Sequence, residues 1–260
     1  MAARHYALAL AAIALATPTR HAAPAKVRYR IDQKLTQTID ATAAGQGKQS
    51  ISFSTSSFLT LTLTDTVGGR SVRVVVDSMR GDSTAPVPRE VFDSARGAEY
   101  HAFLSTAGKL SELEAVTTTQ AAYRVQGFLS DFFPWVRAGV KTGEQWSDTT
   151  AKSTGSGTDS VRVRRITNYR VVGPEPKARR KSVRITTEYN STVAGTQATP
   201  NGPARIEGSG KGAGTYFVSP DGQYVGGDWE LHSDLTIAGA FSNEPLPITI
   251  TQTTKVTTLE

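Results

Sequence analysis

Residues 27–39 read VRYRIDQKLTQTI, with Val27, Tyr29, Ile31, Leu35 and Ile39 at one parity and Arg28, Arg30, Asp32, Lys34 and Thr36 at the other. A period of two sustained over such a length places apolar side chains on one face and polar ones on the other, which is the signature of a half-buried β-strand. The pattern returns at residues 51–64, ISFSTSSFLTLTLT. A V-G-G-R turn and SVRVVVDSM follow, then further alternating runs at VRVRRITNYRVV, SVRITTEYNSTV, DWELHSDLTI and PITITQTTKV. Thr, Val and Ile in polar and apolar alternation predict antiparallel sheet with one wet face and one dry face.

Two halves resemble each other. SVRVVVDS (71–78) matches SVRITTEY (182–189), and YHAFLSTAGKLSEL (100–113) runs parallel to GTYFVSPDGQYVGG (214–227) in the same order. Between the halves, TTQAAYRVQGFLSDFF sets Val125, Phe128, Leu129 and Phe132 at i, i+3, i+4 and i+7, an amphipathic helix over 119–133 that Pro134 stops. Residues 88–96 carry a weaker helical pattern. The expected fold is mainly β: two related antiparallel modules forming curved, half-barrel-like sheets, with one amphipathic helix packed on the concave face. The expected divisions are a signal peptide at 1–25, a first β module plus connecting helix at 26–137, and a second β module at 138–260.

The stretch EGSGKGAGTYFVSPDG (207–222) has the look of a phosphate loop, but the chemistry is wrong. A P-loop requires GxxxxGK followed by Ser or Thr, whereas Lys211 precedes Gly212, and a dinucleotide fingerprint must open a helix, whereas TYFVSPDG reads as strand and turn. On a strand, Gly208, Gly210, Gly212 and Gly214 share one face with Ile206, Tyr216 and Val218. A strip without side chains lets a sheet coil sharply and lets a ring lie on the backbone. No cofactor is expected.

The N-terminus, MAARHYALALAAIALATPTRHAAPA, sets Arg4 before an apolar run too short to span a bilayer, followed by small residues and prolines. That is the layout of a secretory signal peptide, cut after Ala25 or, alternatively, after Ala16. With no Cys there is neither a disulfide framework nor a thiol for lipid anchoring. The expected location is periplasmic or secreted, without a membrane span. Residues 1–25 hold two of the basic residues and no acid, so the remainder keeps 27 basic against 23 acidic residues. So mild a surplus tolerates an anionic surface as neighbour and argues against nucleic acid.

Candidate chemistry is sparse. Glu230, His232 and Asp234 share a strand face and form a candidate metal set, although a wet face carries such residues anyway and structural zinc needs four converging ligands. Catalytic residues are not expected: there is no G-x-S-x-G elbow, and a Ser-His-Asp set from His101 or His232 is not selected by anything in the sequence. PKARRK offers Lys177, Arg179, Arg180 and Lys181 as contacts to anionic headgroups or polysaccharide, or as a solvated hairpin tip. Phe128, Phe132, Phe133 and Trp135 either complete the core or, with Trp146 and Tyr216, line a cavity for an apolar ligand.

The signal peptide, the curved strands, the helix between halves and VKTGEQWSDT, with Gly143 and Trp146 in a G-x-x-W arrangement, together resemble exported bacterial β-rich proteins of an uncharacterised family. In architecture the chain is also similar to periplasmic lipoprotein carriers, whose half-barrel sheet is capped by helices and holds acyl chains. The amphipathic sheets, the glycine face and the aromatic helix lead to the expectation of non-enzymatic binding of a lipid or other apolar or amphipathic molecule in the cell envelope. The alternatives are a structural or protein-interaction module with a filled core, and an envelope hydrolase.

Overall fold

In the computed structural model, which describes residues 25–129, 132–156, 159–199, 202–239 and 244–259, the alternating segments become eleven antiparallel strands. They are β1 (Ala25–Ala41), β2 (Gly47–Thr66), β3 (Gly69–Gly81), β4 (Glu99–Ser105), β5 (Glu114–Ala115), β6 (Gln145–Ser156), β7 (Asp159–Pro174), β8 (Val183–Thr199), β9 (Gly202–Val218), β10 (Tyr224–Ala238) and β11 (Leu246–Leu259). Of the segment 1–25 expected to be a signal peptide, residues 1–24 lie outside the described residues.

The strands form one sheet in the order β5-β4-β3-β2-β1-β11-β10-β9-β8-β7-β6, and its two edges do not pair. The expectation of two curved sheets is thereby corrected to a single sheet. The reason is the central pairing of β1 with β11, which runs from Arg28 opposite Leu259 to Ile39 opposite Ile248. The segments that match between halves fall on β3–β4 and β8–β9. Phe103 and Phe217, matched in sequence, stand opposite Ser71 and Arg184, two residues out of step.

Among the described residues two α-helices accompany the sheet: α1 (Arg89–Ser94), within the weaker helical pattern of 88–96, and α2 (Gln120–Leu129), so the amphipathic helix expected between the halves is not the single one. α2 is shorter than the periodicity of 119–133 suggests, since Phe132 and Phe133 are not helical. Its Ala122, Val125 and Leu129 are fully buried with Leu59, Val74 and Tyr100 in the core. The Tyr100 hydroxyl donates to the Ala122 carbonyl at 2.7 Å, so the buried phenol is satisfied.

The dry face curls inward. Tyr29 on β1 and Tyr224 on β10 are separated by β11, yet their rings stack at 5.5 Å, and Tyr169 and Tyr216, separated by β8, meet at 6.3 Å. In a flat sheet strands two apart lie about 9.6 Å from one another, so side chains from alternate strands converge on the concave side.

Candidate functional site

The segment after α2 fills one end of this concave face. Phe132 packs on Tyr29 at 6.3 Å, Phe133 on Tyr224 at 5.2 Å, and Trp135 on Trp146 and Tyr169 at 6.4 and 6.1 Å. The Trp135 indole N–H donates to the Ala107 carbonyl at 2.6 Å, the Val136 amide to Gly108 at 3.0 Å, and the Tyr216 hydroxyl to the Trp135 carbonyl at 2.7 Å. These bonds tie the segment to the β4–β5 connection on one side and to β9 on the other.

Beside it lies a cleft of about 950 Å³, bounded by the end of α2, residues 109–113 and the inner face of β6 to β11. Of the expected ligand contacts, Phe132, Phe133, Trp135 and Tyr216 line it. Phe128 turns to Phe53 and Phe92 in the core, and Trp146 stacks on Tyr169 at 5.1 Å with the Arg137 guanidinium over its ring at 4.7 Å. Among the cleft-lining residues not singled out from the sequence are Arg165, Tyr169, Tyr189 and Leu231. One signal for them exists, because Arg165 and Tyr169 share the apolar parity of β7 with Val161, Val163 and Val171. A second depression, of about 770 Å³, crosses β2, β1, β11, β10, β9 and β8 and shares Thr187, Thr215, Trp229 and Thr254 with the first.

Two ion pairs bridge the unpaired sheet edges at the cleft: Lys109 to Asp148 at 2.7 Å and Lys152 to Glu112 at 3.1 Å. Gly208, Gly210, Gly212 and Gly214 of β9 sit on its inner face, opposite Val193, Ser191, Tyr189 and Thr187 of β8. A Cβ at Gly214 would lie 2.5 Å from Trp229 Cβ, and one at Gly212 would overlap the Tyr189 ring. The strip therefore admits neighbouring side chains onto the backbone where the sheet bends.

Burial governs the ionisation of the tyrosines around the site. It raises the phenol pKa of Tyr216, with the neighbouring Tyr169 adding to the effect and Arg137 opposing it, and it raises Tyr224 and Tyr29 likewise. The Tyr29 hydroxyl donates to the Tyr224 carbonyl at 2.8 Å and the Tyr216 hydroxyl to the Trp135 carbonyl at 2.7 Å, so these phenols stay neutral.

The remaining candidates lie elsewhere. Lys177, Arg179 and Lys181 are exposed and Arg180 half-buried in the tight β7–β8 turn, with the Lys177 ammonium 4.6 Å from the Phe217 ring centre. Glu230, His232 and Asp234 share the outer face of β10, where His232 meets Asp234 at 3.2 Å. Among the described residues no three acids or imidazoles converge on a metal position, so that candidate set is not assembled. His101 bonds Glu99 at 3.0 Å and His232 approaches the Thr251 hydroxyl at 3.4 Å; neither imidazole meets a serine among the described residues. No described helix is long and apolar enough to cross a membrane. No protein family, curated protein or solved structure matches this chain.

Proposed function

We propose that this chain binds an apolar or amphipathic molecule, without catalysing its conversion, in the cell envelope to which residues 1–25 would export it. The observation that carries the proposal is the cleft: a concave space of about 950 Å³ with Leu129, Phe132, Trp135, Tyr216 and Leu231 on its walls. Apolar and aromatic lining with a few polar groups is the usual makeup of small-molecule sites. The position of α2 over the concave face, and descent of the two halves from one duplicated unit, belong to the same proposal. The likeness of matched segments 71–78 and 182–189, each on a strand paired to the next in sequence, supports the latter.

Native mass spectrometry of protein purified from the envelope, followed by organic extraction, tests the reading. The expected result is a stoichiometric lipid or other apolar molecule. A bare protein that stays bare after incubation with envelope lipids would overturn it in favour of an interaction module with a filled core, for which the packed aromatic end of the sheet is the supporting feature.

A further inference from the structure

The outer face of the sheet carries a charge pattern of its own. Arg162, Arg164 and Arg170 lie at the outward parity of β7 and are exposed, in a line about 27 Å long from first to last. Uncharged residues flank them on both neighbouring strands: Ala151, Ser153, Thr192 and Ala194 beside Arg162 and Arg164, Gln145 and Thr186 beside Arg170. Along that line Glu188, opposite Asn168, is the only acid at the same parity of β6 and β8 among the described residues.

The β7–β8 turn extends the line. Arg184 and Phe217 pair across β8 and β9 at the outward parity, yet Phe217 is buried, with the Lys177 ammonium 4.6 Å from the centre of its ring. Arg184 holds Glu175, at the foot of the turn, at 3.2 Å. The turn therefore leans over the same face as the arginines, and its one acid is already neutralised. Lys177, Arg179 and Lys181 stay exposed, and neither they nor the three β7 arginines enter an ion pair among the described residues. Ala178 and Arg179 are the only residues other than glycine with positive φ among those described. A cation kept where the backbone favours glycine points to a use for its charge.

We propose that this ridge docks a linear acidic polysaccharide, its guanidinium and ammonium groups meeting carboxylates or sulfates spaced along one glycan chain. The hydroxyls of Ser153, Thr186 and Thr192 stand beside the arginines as partners for sugar hydroxyls. The positive strip is one strand wide, and β10, three strands away, carries Asp228, Glu230 and Asp234 at the same parity, so the face suits a line of charge better than a plane. The tip of the turn offers Pro176 and Ala178 in place of the aromatic or long apolar side chains that enter a bilayer interface. Among the described residues no aromatic ring stands at this parity of β6, β7 or β8 for a nucleic-acid base to stack on. The concave cleft takes no part.

Titration of the full chain with alginate, heparin, uncharged dextran, phosphatidylglycerol vesicles and poly(dT), at low and at physiological ionic strength, tests the proposal. Alginate and heparin should bind, dextran should not, and added salt should weaken both complexes. Arg162→Gln, Arg164→Gln and Arg170→Gln together should weaken binding about tenfold, the size expected when three exposed charge pairs are lost at once. A control that removes as many charges elsewhere, Lys48→Gln, Arg89→Gln and Arg96→Gln, should bind like the wild type. Ala178→Asn with Arg179→Gly should weaken binding about threefold while raising the unfolding midpoint, which separates loss of contact from loss of fold. The tighter of the two polysaccharides assigns carboxylate or sulfate as the anion. Absence of binding to both, or equal losses in the triple variant and its control, would overturn the ridge as a site. Tighter binding of the vesicles or of poly(dT), with the same dependence on the arginines, would overturn the glycan in favour of a membrane surface or a nucleic acid.

Discussion

At Gly212 the sheet bends so tightly that a methyl group would overlap the Tyr189 ring and the Glu230 carbonyl, whereas at Gly127, inside α2, a methyl meets nothing within 4 Å. Opposite outcomes are expected from the same substitution. Gly212→Ala should destabilise by about 1–3 kcal/mol through overpacking, and Gly127→Ala should stabilise by about 0.5–1 kcal/mol by removing chain entropy. Urea unfolding midpoints of the two variants check this, and a neutral Gly212→Ala would refute the tight bend. The buried phenols give a pH dependence. Burial pushes Tyr100 up to about 12, and Tyr29, Tyr216 and Tyr224 are raised as well. Above pH 10 the unfolded chain ionises these groups first, so it binds fewer protons than the folded chain and stability falls. The urea midpoint should hold up to about pH 9.5 and decline between about pH 10 and 12. A midpoint that stays level to pH 12 would contradict the burial.

Among the elements, the β7–β8 turn is built against its own residues. Ala178 and Arg179 both have positive φ, 49° and 60°, while Lys177 and Arg180 exchange two backbone hydrogen bonds at 2.9 and 3.1 Å. Two-residue hairpin loops of this handedness favour Asn-Gly. Replacing Ala178→Asn and Arg179→Gly together should stabilise by about 1–2 kcal/mol, measured by thermal and urea unfolding. The seam between the sheet edges is a different case. Lys109 and Lys152 are about half exposed, at 44% and 49%, and only Asp148, at 16%, is well shielded. Double-mutant cycles should therefore give at most about 1 kcal/mol for Lys109–Asp148 and less for Lys152–Glu112. A coupling of several kcal/mol would mean that charge, rather than the aromatic segment behind it, holds the edges together.

For the whole molecule, the decisive pairing joins the chain's two ends. β11 lies between β1 and β10 in the middle of the sheet, and its Ile248 and Val256 are buried. Removing residues 246–259 would split the sheet and expose both broken edges, so a chain ending at 245 should show no cooperative urea transition. A two-state unfolding curve from that truncation would show that β1 to β5 and β6 to β10 hold together by other contacts. Such long-range pairing also predicts slow folding, because loop entropy is lost before the central contacts form.

The face of each strand was legible in the sequence because side-chain alternation is a local property of an extended backbone: Tyr29, Leu59, Val74 and Tyr216 are all buried on the parity that the alternation assigns. The glycine face of β9 followed from the same rule. Alternation does not say which strand lies beside which, and that is why one sheet stands where two were expected. It also does not say where a segment goes after its helix ends. Phe132, Phe133 and Trp135 entered the concave face because tertiary contacts with Tyr29, Tyr224 and Tyr169 were available there, while Phe128, one turn earlier, was drawn into the core. Arg165 sits on the dry parity of β7, but its place over the Tyr189 ring depended on the pairing of β7 with β8. Burial pattern is written residue by residue; the cleft exists only where strands distant in sequence curl around a segment that none of them encodes.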